Sequence, residues 1–143
     1  MGTKITGKDM IAILGAVTVA ATDLISISYF FEGKKVNSEG AGDDWETFLT
    51  DLTKAGGFTI NGYDSGITTA EATSLRKGVE DIWSQDDHQD TVSIQVAGTA
   101  TTRRQISGTA ILDRWEPTAD KAATGLLTAA FTWNGAPSLT NQA

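Results

Sequence analysis

The sequence predicts a mainly β domain with one flanking helix, and three observations carry that prediction. The dominant hydrophobic period is two rather than 3.6. The chain holds 21 Thr and 15 Gly against only 2 Pro, a composition suited to pleated strands joined by turns. Helical spacing is confined to two short stretches. At 143 residues with 40% hydrophobic content, a single domain can bury enough core to fold without metal or disulfide.

Taken in order, the chain opens on Lys4 and Lys8, followed by an uncharged run from Met10 to Thr22 and then Asp23. That run is too short to span a bilayer, which takes about 20 apolar residues. Val19-Ala20-Ala21 could serve as a signal cleavage site, but Asp9 interrupts the basic flank, so the segment is read as structure. An N-terminal arm is expected over about residues 1–14 and a C-terminal tail over about 136–143, within one domain.

Five strands follow from alternation. Ile25, Ile27 and Tyr29 alternate with Ser26, Ser28 and Phe30; Phe58 and Ile60 alternate with Thr59 and Asn61; Val92, Ile94 and Val96 alternate with Ser93 and Gln95. Ile106, Gly108, Ala110 and Leu112 alternate with Ser107, Thr109 and Ile111, and Leu127, Ala129, Phe131 and Trp133 alternate with Thr128, Ala130 and Thr132. Each reads as a half-buried strand. Their polar faces are Thr, Ser and Gln rather than Lys and Glu, which suits either plain solvent or a neutral hydrophilic wall.

The two helical stretches differ in strength. Thr68-Thr69-Ala70-Glu71 reads as a capping box before Leu75, Val79, Ile82 and Trp83, one apolar stripe over about 16 residues. Gly78 inside it costs about 1 kcal/mol against Ala, which points either to a close neighbour or to a helix weaker than its stripe suggests. Asp43 and Asp44 precede Trp45, Phe48, Leu49 and Leu52, a shorter amphipathic stretch stopped by Gly56-Gly57. Asn61-Gly62 and Asn134-Gly135 are turn dipeptides. Glu32 to Asp44 is a long connection without apolar period, a length that is uncommon unless the segment is functional or disordered.

Charge and missing residue types exclude most chemistry. The net charge is −7, and residues 43–90 alone carry three bases against eleven acids. Such a chain does not hold nucleic acid by neutralising phosphates. With no cysteine and one histidine, thiol catalysis, Cys-ligated zinc and multi-His metal sites are out. Asp86, Asp87, His88 and Asp90 form the one cluster resembling a cation site, but their spacing matches no calcium loop and a charged turn explains them equally. No nucleophile motif or phosphate loop is present, so no catalytic residue, cofactor or metal is expected. Trp45, Trp83 and Trp133 sit at core positions. Trp115, beside Arg114, suits an interface, and Arg103-Arg104 supplies a basic pair for an acidic neighbour or, equally, a charged strand edge.

Asp44-Trp45-Glu46-Thr47-Phe48-Leu49, then Gly57-Phe58-Thr59-Ile60-Asn61-Gly62, a helix, a strand, and Gly108-Thr109-Ala110-Ile111-Leu112 leading through Pro117 to Ala122 into Leu126–Trp133 and Asn134-Gly135 resemble the tail tube (major tail) proteins of long-tailed bacteriophages and gene transfer agents. The resemblance covers about residues 15–137. It implies a β-sandwich with a helix at its side and a long inter-strand loop, assembling as homohexameric rings that stack into a hollow tube of the virion tail, built in the host cytoplasm. It implies as partners further copies of the chain, a tape measure protein, a tail terminator and tail-tip or baseplate proteins, with double-stranded DNA in passage and no membrane. Six subunits with four wall strands each make a barrel of about 150 Å circumference, leaving a bore of roughly 35–40 Å for a duplex about 20 Å across.

On that resemblance Ser26, Ser28, Thr128 and Thr132 are candidates to face the lumen. Glu32, Lys34, Lys35, Asp43, Asp44, Arg103, Arg104, Arg114 and Trp115 are candidates for contacts between subunits. A secreted carbohydrate-binding sandwich using Trp115 and Tyr63 as platforms, a tail terminator and a type VI secretion tube subunit are the alternative readings.

Overall fold

A computed structural model describes residues 10–34, 53–65, 72–96 and 104–141. Eight strands appear in it: β1 (Ile11–Leu14), β2 (Val17–Thr18), β3 (Leu24–Lys34), β4 (Thr53–Tyr63), β5 (Gln89–Gln95), β6 (Arg104–Asp120), β7 (Ala123–Trp133) and β8 (Ser138–Asn141), with one helix, α1 (Leu75–Trp83). All pairings are antiparallel, in the order β2-β1-β5-β6-β7-β4-β3, with β8 added on β6. The expected mainly β architecture with one flanking helix is what forms.

Strand β6 divides the sheet. Its first half, Ile106 to Ile111, pairs with β5, and its second half, Ala110 to Asp120, pairs with β7. A bulge between Leu112 and Arg114 leaves Asp113 without an opposite residue at this change of partner; bulges sharpen local twist and bend a strand. Both halves bury a face in one core. Ala12, Leu14, Val92 and Ile94 come from one half, and Phe58, Ile60, Leu127, Ala129 and Phe131 from the other. The sheet therefore folds over on itself as a sandwich. Phe58 stacks on Phe131 at 4.6 Å between ring centroids and lies 4.9 Å from the Trp133 ring.

Helix α1 covers the core with Leu75, Val79 and Ile82. Its cap is Ser74, whose Oγ accepts the Lys77 N–H at 3.1 Å, and the helix has nine residues. The expected capping box at residues 68–71 lies outside the described residues. Trp83, placed in the core from sequence, is instead exposed and stacks on His88 at 4.2 Å, so the buried stripe is Leu75, Val79 and Ile82. Of the two readings of Gly78 the close approach is the one found: a Cβ there would stand 2.9 Å from Leu14 Cδ1, so the glycine lets the helix press on β1. The second helical stretch, 43–52, lies outside the described residues.

Two predicted turns are corrected. Asn61-Gly62 sits inside β4, where the glycine serves close packing rather than chain reversal: a Cβ would collide with the Asp23 carbonyl and meet Leu75 Cδ2 at 2.6 Å. Asn134-Gly135, with Gly135 at φ 88°, bends the chain without reversing it, so β8 continues along β6 where β7 stops. Residues 11–14 of the expected arm and 138–141 of the expected tail are likewise strands of the sheet.

Candidate assembly surfaces

One sheet face lies opposite the core, across β3, β4, β7 and the second half of β6. Register fixes its rows. Ser28 faces Thr59, which faces Ala130, which faces Arg114; Ser26 faces Asn61, Thr128 and Glu116 in the same way. All four residues expected on a polar wall, Ser26, Ser28, Thr128 and Thr132, share this face. Thr128 Oγ1 donates to Asn61 Oδ1 at 2.9 Å, and Asn61 Nδ2 donates to Ser26 Oγ at 3.1 Å, a hydrogen-bonded ladder over three strands. Thr132 Oγ1 donates to the Asp113 carboxylate.

The ladder satisfies Thr128, Asn61 and Ser26 among themselves, so those groups present fewer free donors. The face's one described cation, Arg114, pairs with Glu116 at 3.2 Å. Both are exposed, so the pair is worth well under about 1 kcal/mol, but it leaves the guanidinium partly neutralised. Thr59 and Asn61 were not singled out from sequence as wall residues. Their alternation with Phe58 and Ile60 is the signal that places them on this face.

Both edges of this four-stranded wall are open. No described strand pairs with the outer side of β3, and β6 has no described partner beyond β7 from Asp113 to Asp120. Edge strands of this length are templates for another chain. Exposed apolar side chains gather there: Tyr29, Phe30 and Phe31 on β3 are 43%, 53% and 48% accessible, with the Tyr29 and Phe31 rings edge to face at 6.3 Å.

Of the residues expected at subunit contacts, Glu32 is exposed near the end of β3, of which Lys34 is the last residue. Arg104 is exposed at the start of β6, its Nη2 3.4 Å from the Leu139 carbonyl. Arg114 and Trp115 stand on the open edge of β6. Trp115 is half-buried, on the core side, with the Arg76 guanidinium 5.7 Å above its ring. Arg76 is itself held by Asp64 at 2.7 Å and Glu80 at 2.9 Å. The hydrogen bond to Glu80 is the main cause raising the Arg76 pKa, and partial burial opposes it. Lys35, Asp43, Asp44 and Arg103, and most of the 32–44 connection, lie outside the described residues.

The acidic cluster forms a turn. His88, at φ 52°, has Nδ1 2.8 Å from the Trp83 carbonyl, and Gln85 donates to Asp90 at 2.8 Å. The hydrogen bond from Gln89 is the leading cause that lowers the Asp87 pKa. Among the described residues no group of three or more His, Cys, Asp or Glu is placed to hold a metal, and no helix is long and apolar enough to cross a membrane.

No protein-family model matches the sequence, and no curated protein matches it. Solved structures do. A chain in the virion of a native gene transfer agent particle aligns with a TM-score of 0.73 over 94% of this chain and 98% of that one, at 14% identity. This chain has the tail-tube fold. A second chain, from the tail of an empty gene transfer agent particle computed with helical refinement and C6 symmetry, aligns with a TM-score of 0.69 over 94% of this chain and 98% of that one, at 13% identity. The SPP1 tail tube aligns with a TM-score of 0.69 over 97% of this chain and 80% of that one, at 9% identity. At such identities the tail-tube fold is what is shared, and the assembly behaviour must be argued from this chain's own surfaces.

Proposed function

We propose that this protein is the subunit of a phage-type tail tube, polymerising as stacked hexameric rings around a bore through which double-stranded DNA passes. The observation that carries the reading is a four-stranded face whose middle rows are polar and internally hydrogen-bonded, with Phe30, Tyr63 and Leu126 nearer its rims, bounded by two open edges. Strands β3 and β7 run one way, β4 and β6 the other. A copy placed beside β3 therefore offers its β6 antiparallel, and any number of copies closes without a parallel junction. C6 symmetry in a particle of the same fold favours six, giving a bore of roughly 35–40 Å.

The chemistry of the face suits a conduit. Among its described side chains stand one cation, Arg114, and three carboxylates, Glu32, Asp113 and Glu116, with Lys34 at the same parity as Glu32 at the end of β3. Phosphate is repelled rather than captured, and with no counterion release there is no affinity to slow the duplex. Weak binding is the useful property. The virion tail is the place this assigns to the protein, with a length-setting protein inside the tube and capping proteins at its ends as partners.

Negative-stain imaging of purified protein tests the reading. Open-ended hollow cylinders are expected; single particles at high concentration contradict it, and closed single rings that never stack favour a terminator instead. Within assembled tubes, Thr128→Lys is expected to make DNA co-sediment at low salt and release it as salt rises, whereas wild-type tubes retain none. DNA retention by wild-type tubes would contradict the lumen assignment.

A further inference from the structure

We infer that the open edge of β3 pairs with the open edge of β6 in the next copy at one register, which sets Glu32 opposite Arg114, Phe31 opposite Trp115, Phe30 opposite Glu116 and Tyr29 opposite Pro117. The inference rests on the tube reading and supplies the residues of its lateral contact.

The register follows from the shape of the wall. At one end the β3–β4 ribbon runs four residue pairs, Phe31↔Gly56 to Lys34↔Thr53, past the last β4–β7 pair, Gly57↔Thr132. At the other end β7 runs on from Leu126, paired with Tyr63, to Ala123. The wall is a parallelogram, skewed towards the C-terminal end of β3 on the β3 side. Rims become level only when strands tilt and each copy beyond β3 is displaced in that same direction.

Magnitudes narrow the displacement. Strands about 4.8 Å apart and tilted about 35–45° climb about 3.4–4.8 Å each, hence about 13–19 Å per four-stranded copy, or about four to six residues. Five is excluded because an odd slip turns every lumen side chain to the core side. Without displacement, the rows through Ser28 and Ser26 end on Arg114 and Glu116. A slip of six puts Glu116 of the next copy opposite Glu32, two carboxylates facing each other, which destabilises a pair.

A slip of four puts Arg114 opposite Glu32, and Glu32 has no partner within the described chain. On the core side the same slip brings Trp115 and Pro117 of the next copy against Phe31 and Tyr29. These rings are about half accessible in the lone chain, and aromatic cross-strand pairs are among the stabilising ones.

The chain contains no cysteine, so paired thiols report the register directly. Directly opposed residues have Cβ atoms about 4.5–5.5 Å apart and diagonal ones about 7–8 Å, while a disulfide needs about 3.5–4.5 Å. In assembled protein under mild oxidation, Glu32→Cys with Arg114→Cys is expected to give a ladder of covalent oligomers ending at the ring size, about tenfold faster than Glu32→Cys with Glu116→Cys. Phe30→Cys with Glu116→Cys lies on the same register and is expected to give the same ladder. Equal or faster cross-linking by Glu32→Cys with Glu116→Cys, or by Phe30→Cys with Arg114→Cys, overturns the register, as does failure of both matched pairs in intact tubes. Failure of the wild-type chain to form rings or tubes instead defeats the tube reading itself.

Discussion

Strands β3 and β7 have eleven residues each and nearly the same alternation of apolar and polar side chains, yet they end differently. In β7, Leu127, Ala129, Phe131 and Trp133 are at most 6% accessible. In β3, the bulge between Leu24 and Ser26 leaves Ile25 46% accessible, and the aromatic run Tyr29-Phe30-Phe31 is also left open. The difference is position: β7 has a strand on either side and the core beneath it, whereas β3 is an edge that outruns its cover. Alternation in sequence specifies that a face will be buried, and says nothing about which chain buries it.

The comparison breaks most clearly in β7. Phe131→Ala removes a ring stacked on Phe58 and is expected to destabilise the isolated subunit by about 3–5 kcal/mol in urea titration; a cost below about 1 kcal/mol would mean the two strands are not different in kind. Gly62→Ala comes next. Its Cβ must displace Leu75 or the Asp23 backbone, at about 1–3 kcal/mol by the same titration. Ser74→Ala, which removes the cap of α1, costs about 1 kcal/mol, read as a thermal shift of a few degrees. Phe31→Ser, on β3, is expected to cost less than about 1 kcal/mol in the subunit while abolishing tube assembly by light scattering. Assembly unchanged by Phe31→Ser would return β3 to an ordinary solvent edge.

Much of this fold is legible from sequence because its strands obey a period of two over long stretches. Ile106, Ala110, Leu112 and the β7 set are buried as their alternation indicates. What is not legible has local causes. Asn61-Gly62 has the signature of a turn, but the glycine is required by the Asp23 backbone and Leu75 pressing on β4. Asn134-Gly135 keeps its bend and loses its reversal because β6 is long enough to accept β8 after β7. The helix is shorter than its stripe suggests at its N-terminal end, where Ser74 caps it and it begins at Leu75, while Trp83 finds His88, a partner that spacing along a helix cannot reveal. The polar wall was readable as composition, Ser and Thr opposite each apolar row, but the Thr128–Asn61–Ser26 ladder depends on register between strands distant in sequence.

Amide hydrogen exchange on β3, compared between dissociated subunits and assembled tubes, bears most directly on the idea that another copy completes this strand. The outward-pointing amides of Leu24 to Lys34 are expected to exchange at least about tenfold more slowly in tubes, with β7 protected in both states. Equal exchange of those β3 amides in the two states would contradict it.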